Sequence, residues 1–137
     1  MFYPAKFIKE GEHYNISFRD IPEARTRGYH WQDSLNMAEE ILLKTMALYF
    51  EERRKICLPS EAEEGEVLIS LPVSVFAKIL LLNELVQQKI SNADLARRIN
   101  LQPQEIQRIV NLRHSTKIDT ISRAIAATGK RLVLYTQ

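Results

Sequence analysis

Residues 90–131, ISNADLARRINLQPQEIQRIVNLRHSTKIDTISRAIAATGKR, contain two short apolar repeats separated by a polar break. Within each repeat the apolar residues recur every three to four positions, which is the spacing of one buried face of a helix. The break, residues 100–103, reads Asn-Leu-Gln-Pro. The apolar positions of the two repeats are Leu95, Ala96, Ile99, Ile106, Ile109 and Val110. This stretch is therefore predicted to fold as a helix, a short turn and a second helix.

The residues at the expected helix ends support this division. Ser91 or Asn92 is predicted to cap the first helix, because either side chain accepts a hydrogen bond from a free backbone N–H group. Asn100 tolerates the positive φ of a tight turn. Pro103 suits the first turn of the second helix, where its missing N–H is not needed. Together these features predict a helix-turn-helix, a unit that places its second, recognition helix in the major groove of DNA.

The outward face of the recognition helix carries side chains that read bases. Gln104, Gln107 and Arg108 are followed by Asn111 at the three- and four-residue spacing of one helix face. Gln and Asn pair with adenine, and Arg with guanine, through two hydrogen bonds. Each residue alone is equally typical of a solvated face, but the whole set favours DNA contact, with phosphates held by the flanking residues. The predicted DNA-binding residues are Asn92, Gln102, Gln104, Gln107, Arg108, Asn111, Arg113, His114 and Lys117.

Charge is unevenly distributed along the 137-residue chain, whose formal net charge is only +2. Residues 91–137 hold eight Lys or Arg against three Asp or Glu, whereas residues 1–72 hold nine against thirteen. The basic part is thus the predicted DNA-binding part. Because a nearly neutral chain attracts DNA only weakly, tight binding is expected to need a homodimer or a tetramer, and helix-turn-helix proteins usually dimerise to meet two half-sites.

The segment after the recognition helix offers a means of dimerisation. Residues 116–119, Thr-Lys-Ile-Asp, resemble a capping box at the start of a last helix, which Gly129 ends. Ile121, Ile125 and Ala126 form the apolar stripe of that helix. The tail beyond it is β-prone and is expected to pair with the same segment of a second copy, the alternative being the N-terminal sheet. The predicted dimerisation residues are Leu132, Val133, Leu134 and Tyr135.

The N-terminal half begins with the alternation of apolar and polar residues that is typical of strands. Two strands joined by a turn at Gly11 are followed by a short third strand, a long helix and a fourth strand. The predicted bounds are 2–10, 13–20 and 24–29 for the first three strands, 31–52 for the helix and 67–71 for the last strand. The inward stripe of the helix, which faces the sheet, is predicted as Trp31, Leu35, Ala38, Leu42, Met46 and Tyr49.

A domain boundary is predicted at Pro72-Val73-Ser74. Ser74 is predicted to cap a helix from Val75 to Gln88 that begins the second domain. The predicted fold class is therefore α+β. A β-β-β-α-β domain over residues 1–72 precedes a helical, helix-turn-helix domain over residues 73–137, which ends in a dimerising strand.

The composition excludes several function classes. A single cysteine, Cys57, rules out an internal disulfide, and the three histidines have no metal-ligand spacing, so neither a metal nor a cofactor is expected. Cys57 itself is expected to be an inert, partly buried thiol. No signal peptide opens the chain, and the longest apolar run is far too short to span a bilayer. A soluble, cytoplasmic protein with no membrane partner is therefore expected.

No catalytic constellation is found among the polar residues. The carboxylates of residues 61–66 are interpreted as a solvated loop, and Asp20 stands almost alone as a candidate metal ligand. His13 and His30 lack a suitably spaced nucleophile. The protein is not expected to be an enzyme. Its acidic N-terminal half suits a small basic partner, although acidity is also typical of soluble surfaces in general.

Several short sequence motifs resemble those of one bacterial protein family. The most specific is HSTKIDTI at residues 114–121. Other C-terminal marks are LPV at 71–73, LLN at 81–83 and LARRI at 95–99. The N-terminal marks are FRDIPEA at 18–24, TRG at 26–28, LYFEE at 48–52 and LPS at 58–60. With these marks the chain resembles the HicB antitoxins of bacterial toxin–antitoxin pairs, in the form that carries a C-terminal helix-turn-helix.

The resemblance implies a fold and a function for each half. The N-terminal domain would be a reduced ribonuclease H-like fold that has lost catalysis and covers the active site of HicA, a small RNA-cleaving toxin with a double-stranded-RNA-binding-like fold. The C-terminal half would bind operator DNA and repress the operon that encodes the pair. Toxin contacts are expected around Asp20, Ile21 and Glu23.

Two other functions remain open from the sequence. One is a stand-alone helix-turn-helix transcriptional regulator whose N-terminal domain senses a small ligand, which needs a pocket. The other is a nuclease with a DNA-targeting module, which needs clustered carboxylates. A neighbouring gene for a small basic protein would favour the antitoxin over both.

Overall fold

The computed structural model describes all 137 residues, and their contacts divide the chain into two compact units. The first unit comprises Met1–Leu48 and Ile56–Pro72, and the second comprises Tyr49–Lys55 and Val73–Gln137. One division falls after Pro72, beside the boundary expected from the sequence, and the separation into two domains, 1–72 and 73–137, stays a prediction. The end of the long helix differs from that expectation, because Tyr49–Lys55 clusters with the second unit.

The chain forms four strands and five helices, and the β-β-β-α-β order expected of the N-terminal half is confirmed. The elements are β1 (Phe2–Glu10), β2 (His13–Phe18), β3 (Arg25–Gly28), α1 (Trp31–Glu51), β4 (Val67–Ser70), α2 (Val73–Gln87), α3 (Asn92–Ile99), α4 (Pro103–Ile109) and α5 (Ile118–Ala126). Helix α2 begins before Ser74, so this residue lies in the first turn and is not the cap that the sequence predicted. None of the helices is long and apolar enough to cross a membrane.

The first unit is built on an antiparallel sheet in the order β3-β2-β1-β4. Strands β1 and β2 form a hairpin whose turn uses Gly11 at φ 60°, a left-handed conformation that glycine adopts without strain. Ala5 pairs with Phe18 in this hairpin, and both are buried together with Tyr3 and Ile16. The predicted alternation therefore holds at the end of β2, where Ile16 and Phe18 are more buried than Asn15 and Ser17. It fails on β1, where Tyr3, Pro4 and Ala5 are buried in succession.

Helix α1 buries one stripe of its surface in the first unit. Ala38, Leu42 and Met46 are spaced by four and have no exposed surface, as predicted. Trp31, predicted as the first member of this stripe, is instead 47% exposed. Its ring lies 5.1 Å from that of Phe7, centroid to centroid, and packs at the margin of the core.

The start of α1 approaches strand β3 very closely. A Cβ atom on Gly28 would lie 2.2 Å from Ser34 Oγ and 2.7 Å from Ser34 Cα. Neither distance is compatible with a real side chain, because packed atoms do not interpenetrate. Gly28 is therefore required by the close packing of the helix on the strand.

Long-range contacts tie the loop before β4 to the sheet. The Tyr3 hydroxyl donates to the Cys57 carbonyl at 2.7 Å, and burial raises the pKa of Tyr3 well above its usual value. Arg19 pairs with Glu66 through both carboxylate oxygens, and this pairing holds the pKa of Glu66 below its usual value. The thiol-bearing residue itself, Cys57, is exposed, which corrects the expectation of a partly buried thiol.

The second unit is helical and has its own apolar core, built largely around α2. The periodic positions predicted to lie between the two short helices are buried, as expected, at Leu95, Ile106 and Ile109. In α5 the inward residues are Ile121, Ala124 and Ile125. Ala126, predicted to face inward, is exposed because it lies off this stripe.

The C-terminal tail, residues 130–137, forms neither helix nor strand within the chain. It does not join the sheet, whose members are β1 to β4, so the alternative pairing within one chain is not observed. Leu132 packs partly against the core of the second unit. Val133, Leu134 and Tyr135 are 69%, 62% and 82% exposed. Pairing of this tail with a second copy stays a prediction.

Candidate functional site

Helix α3 begins with a reciprocal cap. The Asp94 N–H donates to Ser91 Oγ at 3.0 Å, and the Ser91 N–H donates to Asp94 Oδ2 at 3.3 Å. Of the two predicted caps, Ser91 is the one used. Hydrogen bonding to Ser91 also holds the pKa of the Asp94 carboxyl below its usual value, since the bonds favour the ionised form.

A three-residue turn joins α3 to α4. Asn100 has φ 54° and ψ 50°, the left-handed conformation predicted for it, and Leu101 N–H donates to the Ala96 carbonyl at 3.1 Å. Pro103 occupies the first turn of α4, as expected. Gln102 precedes the helix, and its N–H donates to Glu105 Oε2 at 3.1 Å. The backbone N–H of Gln102 thus caps the start of α4 by bonding to Glu105. Gln102 is an exposed residue.

The outward side chains of α4 lie together as the sequence predicts. Gln104, Gln107 and Arg108 are exposed, and with Asn111 they line one open groove. The opposite side of the helix buries Ile106, which fixes the rotation of the helix about its axis. Four hydrogen-bonding side chains therefore share one solvent-facing surface, here called the α4 face (Gln104, Gln107, Arg108 and Asn111).

The basic residues after α4 lie in an irregular turn. Arg113, His114 and Lys117 are all exposed. The Arg113 N–H donates to Asn111 Oδ1 at 3.0 Å, and His114 Nδ1 lies 3.2 Å from Thr116 Oγ1. Helix α5 begins at Ile118, one residue later than a capping box at Thr116 requires, so the capping box predicted for this helix is wrong. Lys117 is the N-cap residue, without a side-chain cap.

Asn92, a predicted phosphate contact, is engaged within the chain. Its Oδ1 accepts from Arg53 Nη1 at 2.9 Å, and Arg53 also donates to the Ile90 carbonyl. Arg53 itself has φ 54°, so the chain turns sharply after α1. Asn92 thus contacts the turn that follows α1, and its role toward DNA stays a prediction.

Lys78 is a buried residue with three backbone partners that the sequence pattern does not reveal. It is only 2% exposed, and its Nζ donates to the carbonyls of Arg108 at 3.1 Å, Asn111 at 2.8 Å and His114 at 2.6 Å. Burial lowers its pKa to about 8. The only signal in the sequence is a lysine inside the apolar run of α2, FAKILLL, and lysine is rarely buried without partners.

The predicted toxin contacts lie in the turn after β2. Asp20 accepts hydrogen bonds from the N–H of Ser60 at 2.9 Å and from its hydroxyl at 2.5 Å. Ile21 has no exposed surface, so its side chain packs in the core and does not form part of a surface, which corrects its assignment. Glu23 is exposed.

A group of aromatic side chains forms a second exposed feature of the first unit. Trp31 lies 5.1 Å from Phe7 and 5.6 Å from Tyr14, centroid to centroid, and Tyr29 is 61% exposed. Tyr14, Tyr29, Trp31 and Lys9 line one open groove. Helical periodicity assigned Trp31 to the core, so this surface is missed by sequence reasoning.

No cluster of three or more His, Cys, Asp or Glu side chains is arranged to hold a metal ion. Within residues 61–66, Glu61, Glu63 and Glu64 are exposed, as expected of a solvated loop. Glu66 departs from that expectation, because it is bound by Arg19.

Comparison with known proteins identifies the family. The family model described as HicB-like antitoxin of bacterial toxin–antitoxin systems matches residues 2–80. Antitoxin HicB 2 of Photorhabdus laumondii is 48% identical over 134 residues, covering 98% of this chain and 95% of that protein. Antitoxin HicB of Escherichia coli strain K12 is 42% identical over 135 residues, covering 98% of each. Antitoxin HicB of Pseudomonas fluorescens is 31% identical over 120 residues, covering 87% of this chain and 82% of that protein. The chain therefore belongs to the HicB-like antitoxin family of bacterial toxin–antitoxin systems.

Proposed function

We propose that this chain binds and inhibits a HicA-type RNA-cleaving toxin and represses its own operon by binding operator DNA as a dimer or higher oligomer. The toxin-binding half rests on the antitoxin relatives, which match along nearly the whole chain. The DNA-binding half rests on one observation above all. The α4 face presents Gln, Gln, Arg and Asn together on a helix that is anchored by buried isoleucines.

Helices α3 and α4 act as a helix-turn-helix in this proposal, with α4 lying in the major groove. Gln104 and Gln107 are suited to adenine and Arg108 to guanine, each good pair contributing roughly 1–3 kcal/mol of discrimination. Arg113, His114 and Lys117 contact phosphates, which position the protein without reading sequence. All of these side chains are exposed.

A second copy supplies the affinity that one nearly neutral chain lacks. The net charge of +2 provides little non-specific attraction to DNA, and a dimer doubles the number of contacts on a two-half-site operator. The exposed tail residues Val133, Leu134 and Tyr135 form a self-complementary contact with the same tail of a partner. An exposed β-prone apolar segment is a usual site for such pairing.

The toxin lies against the first unit. Trp31 and Tyr29 offer exposed aromatic surface, and aromatic side chains are enriched in the centres of protein interfaces. The adjoining outer side of α1 carries Asp33, Glu39 and Glu40, all exposed. Acidic side chains around an aromatic centre suit a small basic, RNA-binding partner. Asp20 and Glu23, in the turn after β2, remain further candidates for the rim of this contact.

Two assays on purified protein test both halves of the proposal. In the first, the chain is added to the toxin encoded beside it, and cleavage of RNA is measured. Inhibition at equal molar amounts is expected, and undiminished cleavage would contradict toxin binding. In the second, binding to the duplex upstream of the encoding operon is compared with binding to a shuffled duplex of the same composition. Equal affinity for the two duplexes would contradict operator recognition.

A further inference from the structure

We propose that Lys78 is a positioning residue for DNA reading, which holds α4 and the turn after it without touching DNA. This inference rests on the DNA-binding half of the proposed function. It assigns the specificity of the α4 face in part to a residue of α2, outside the helix-turn-helix.

The geometry of Lys78 is that of a three-point clamp. One Nζ donates to carbonyls of Arg108, Asn111 and His114, so it joins the last turn of α4 to the irregular segment behind it. The last carbonyls of a helix have no partner within the helix, and a cation placed there is favourable. An ammonium group has three donors, and all three are used.

The clamp acts on the residues that are proposed to contact DNA. Arg108, Asn111 and His114 expose their side chains while their carbonyls accept from the same amine. The direction of each side chain depends on the backbone that carries it, so Lys78 sets where these groups point. Helix α4 has only seven residues, and a helix of that length is not stable by itself.

Packing alone does not explain a lysine at this position. Its neighbours Ala77, Ile79 and Leu81 are buried apolar residues, and an apolar side chain would fill the same space without the cost of burying an ammonium. An apolar side chain could not donate hydrogen bonds to the three carbonyls, as Lys78 does. This favours positioning over filling as the role of Lys78.

The test compares Lys78→Met with Lys117→Met at a temperature where both variants are folded. Methionine keeps much of the length of Lys78 but cannot donate. We expect K78M to reduce the preference for the upstream duplex over the shuffled duplex by about tenfold, roughly one good base contact, with an unchanged salt dependence. Lys117 is exposed and is proposed to contact a phosphate, so K117M should weaken binding to both duplexes and reduce the salt slope by about 0.9.

Amide hydrogen exchange provides a readout that does not depend on DNA. In K78M the amides of Val110, Asn111 and His114, which bond within this turn, should exchange faster, while those of α3 keep their protection. Unchanged exchange together with unchanged duplex preference would overturn the clamp. Faster exchange in the absence of any selective binding by the unaltered protein would support the clamp and overturn the operator function alone.

A second variant covers the case in which K78M does not fold. Lys78→Gln keeps an amide group with two donors, so it should fold, and it should have a smaller duplex preference than the unaltered protein. If Lys78 only stabilises the fold, K78Q should have a lower unfolding temperature but the same duplex preference as the unaltered protein. That result would contradict positioning.

Discussion

The two units of the chain build their proposed binding surfaces in different ways. In the second unit the α4 face and the basic turn lie within residues 104–117, so one stretch of sequence contains nearly all the reading groups. In the first unit the aromatic surface joins Phe7 and Tyr14, on separate strands, to Trp31 on a helix. A local surface is readable from periodicity, whereas a surface assembled from distant elements is not.

The double substitution Gln104→Ala and Arg108→Ala is the strongest way to separate the two surfaces. Both side chains are exposed, so the fold should survive, while two base contacts are lost in every copy. A loss of about a thousandfold in affinity for the upstream duplex is expected, at roughly 1–3 kcal/mol for each contact. Electrophoretic mobility shift and toxin inhibition should be measured on the same preparation. Loss of toxin inhibition as well would break the comparison between independent surfaces.

The extent to which each region could be predicted follows from the range of its contacts. The cap at Ser91 and the turn at Asn100 depend on residues three or four positions away, so the sequence predicts them. Lys78 bonds to carbonyls 30 to 36 residues away, which no local pattern contains. Trp31 is misassigned because helical periodicity identifies which residues lie on one face of α1. It does not show where the sheet that covers this face ends. Ile21 is misassigned because its burial depends on the packed core.

Removal of residues 130–137 tests whether DNA reading also depends on a second copy. The tail side chains are mostly exposed, so the monomer should remain folded, but the proposed partner contact is lost. About a hundredfold weaker binding to the upstream duplex is expected, since two half-sites no longer act together. Sedimentation should show a monomer for the truncated chain. An unchanged solution mass would contradict the tail pairing.

Trp31→Ala tests the aromatic surface of the first unit. A central aromatic contact in an interface commonly contributes about 2 kcal/mol or more, which corresponds to about thirtyfold weaker toxin binding. Calorimetric titration with the toxin measures the change. Leu48→Ala provides a matched control, because Leu48 is on the same helix and is also half-exposed, at 50% against 47%. Equal effects from the two substitutions would place the toxin elsewhere.

Gly28→Ala tests how tightly the first unit depends on non-local packing. The added Cβ would overlap Ser34, so the free energy of unfolding should fall by about 1–3 kcal/mol. Ser34→Ala is the control, since Ser34 Oγ is buried without a hydrogen-bond partner and its removal should cost little. Urea unfolding measures both. An unchanged free energy of unfolding in G28A would contradict the close approach of α1 to β3.

The pH dependence of stability tests the burial of Lys78 in the second unit. Its pKa is about 8 in the folded chain against 10.5 for the ordinary group, so the unfolded chain binds more protons between these values. Stability should therefore rise with pH in this window, by about 1 kcal/mol from about pH 7.5 to about pH 9. Urea unfolding of K78M should lack this contribution. The same rise in both proteins would assign the effect to other groups.

The separation of toxin binding from DNA reading is tested most directly in cells that express the neighbouring toxin from an independent promoter. Growth is measured with no antitoxin, with the unaltered chain, and with the Gln104→Ala, Arg108→Ala variant. The account predicts that both forms of the chain restore growth equally, while only the unaltered chain silences a reporter placed behind the upstream DNA. Failure of the unaltered chain to restore growth, or failure of the variant alone, would contradict it.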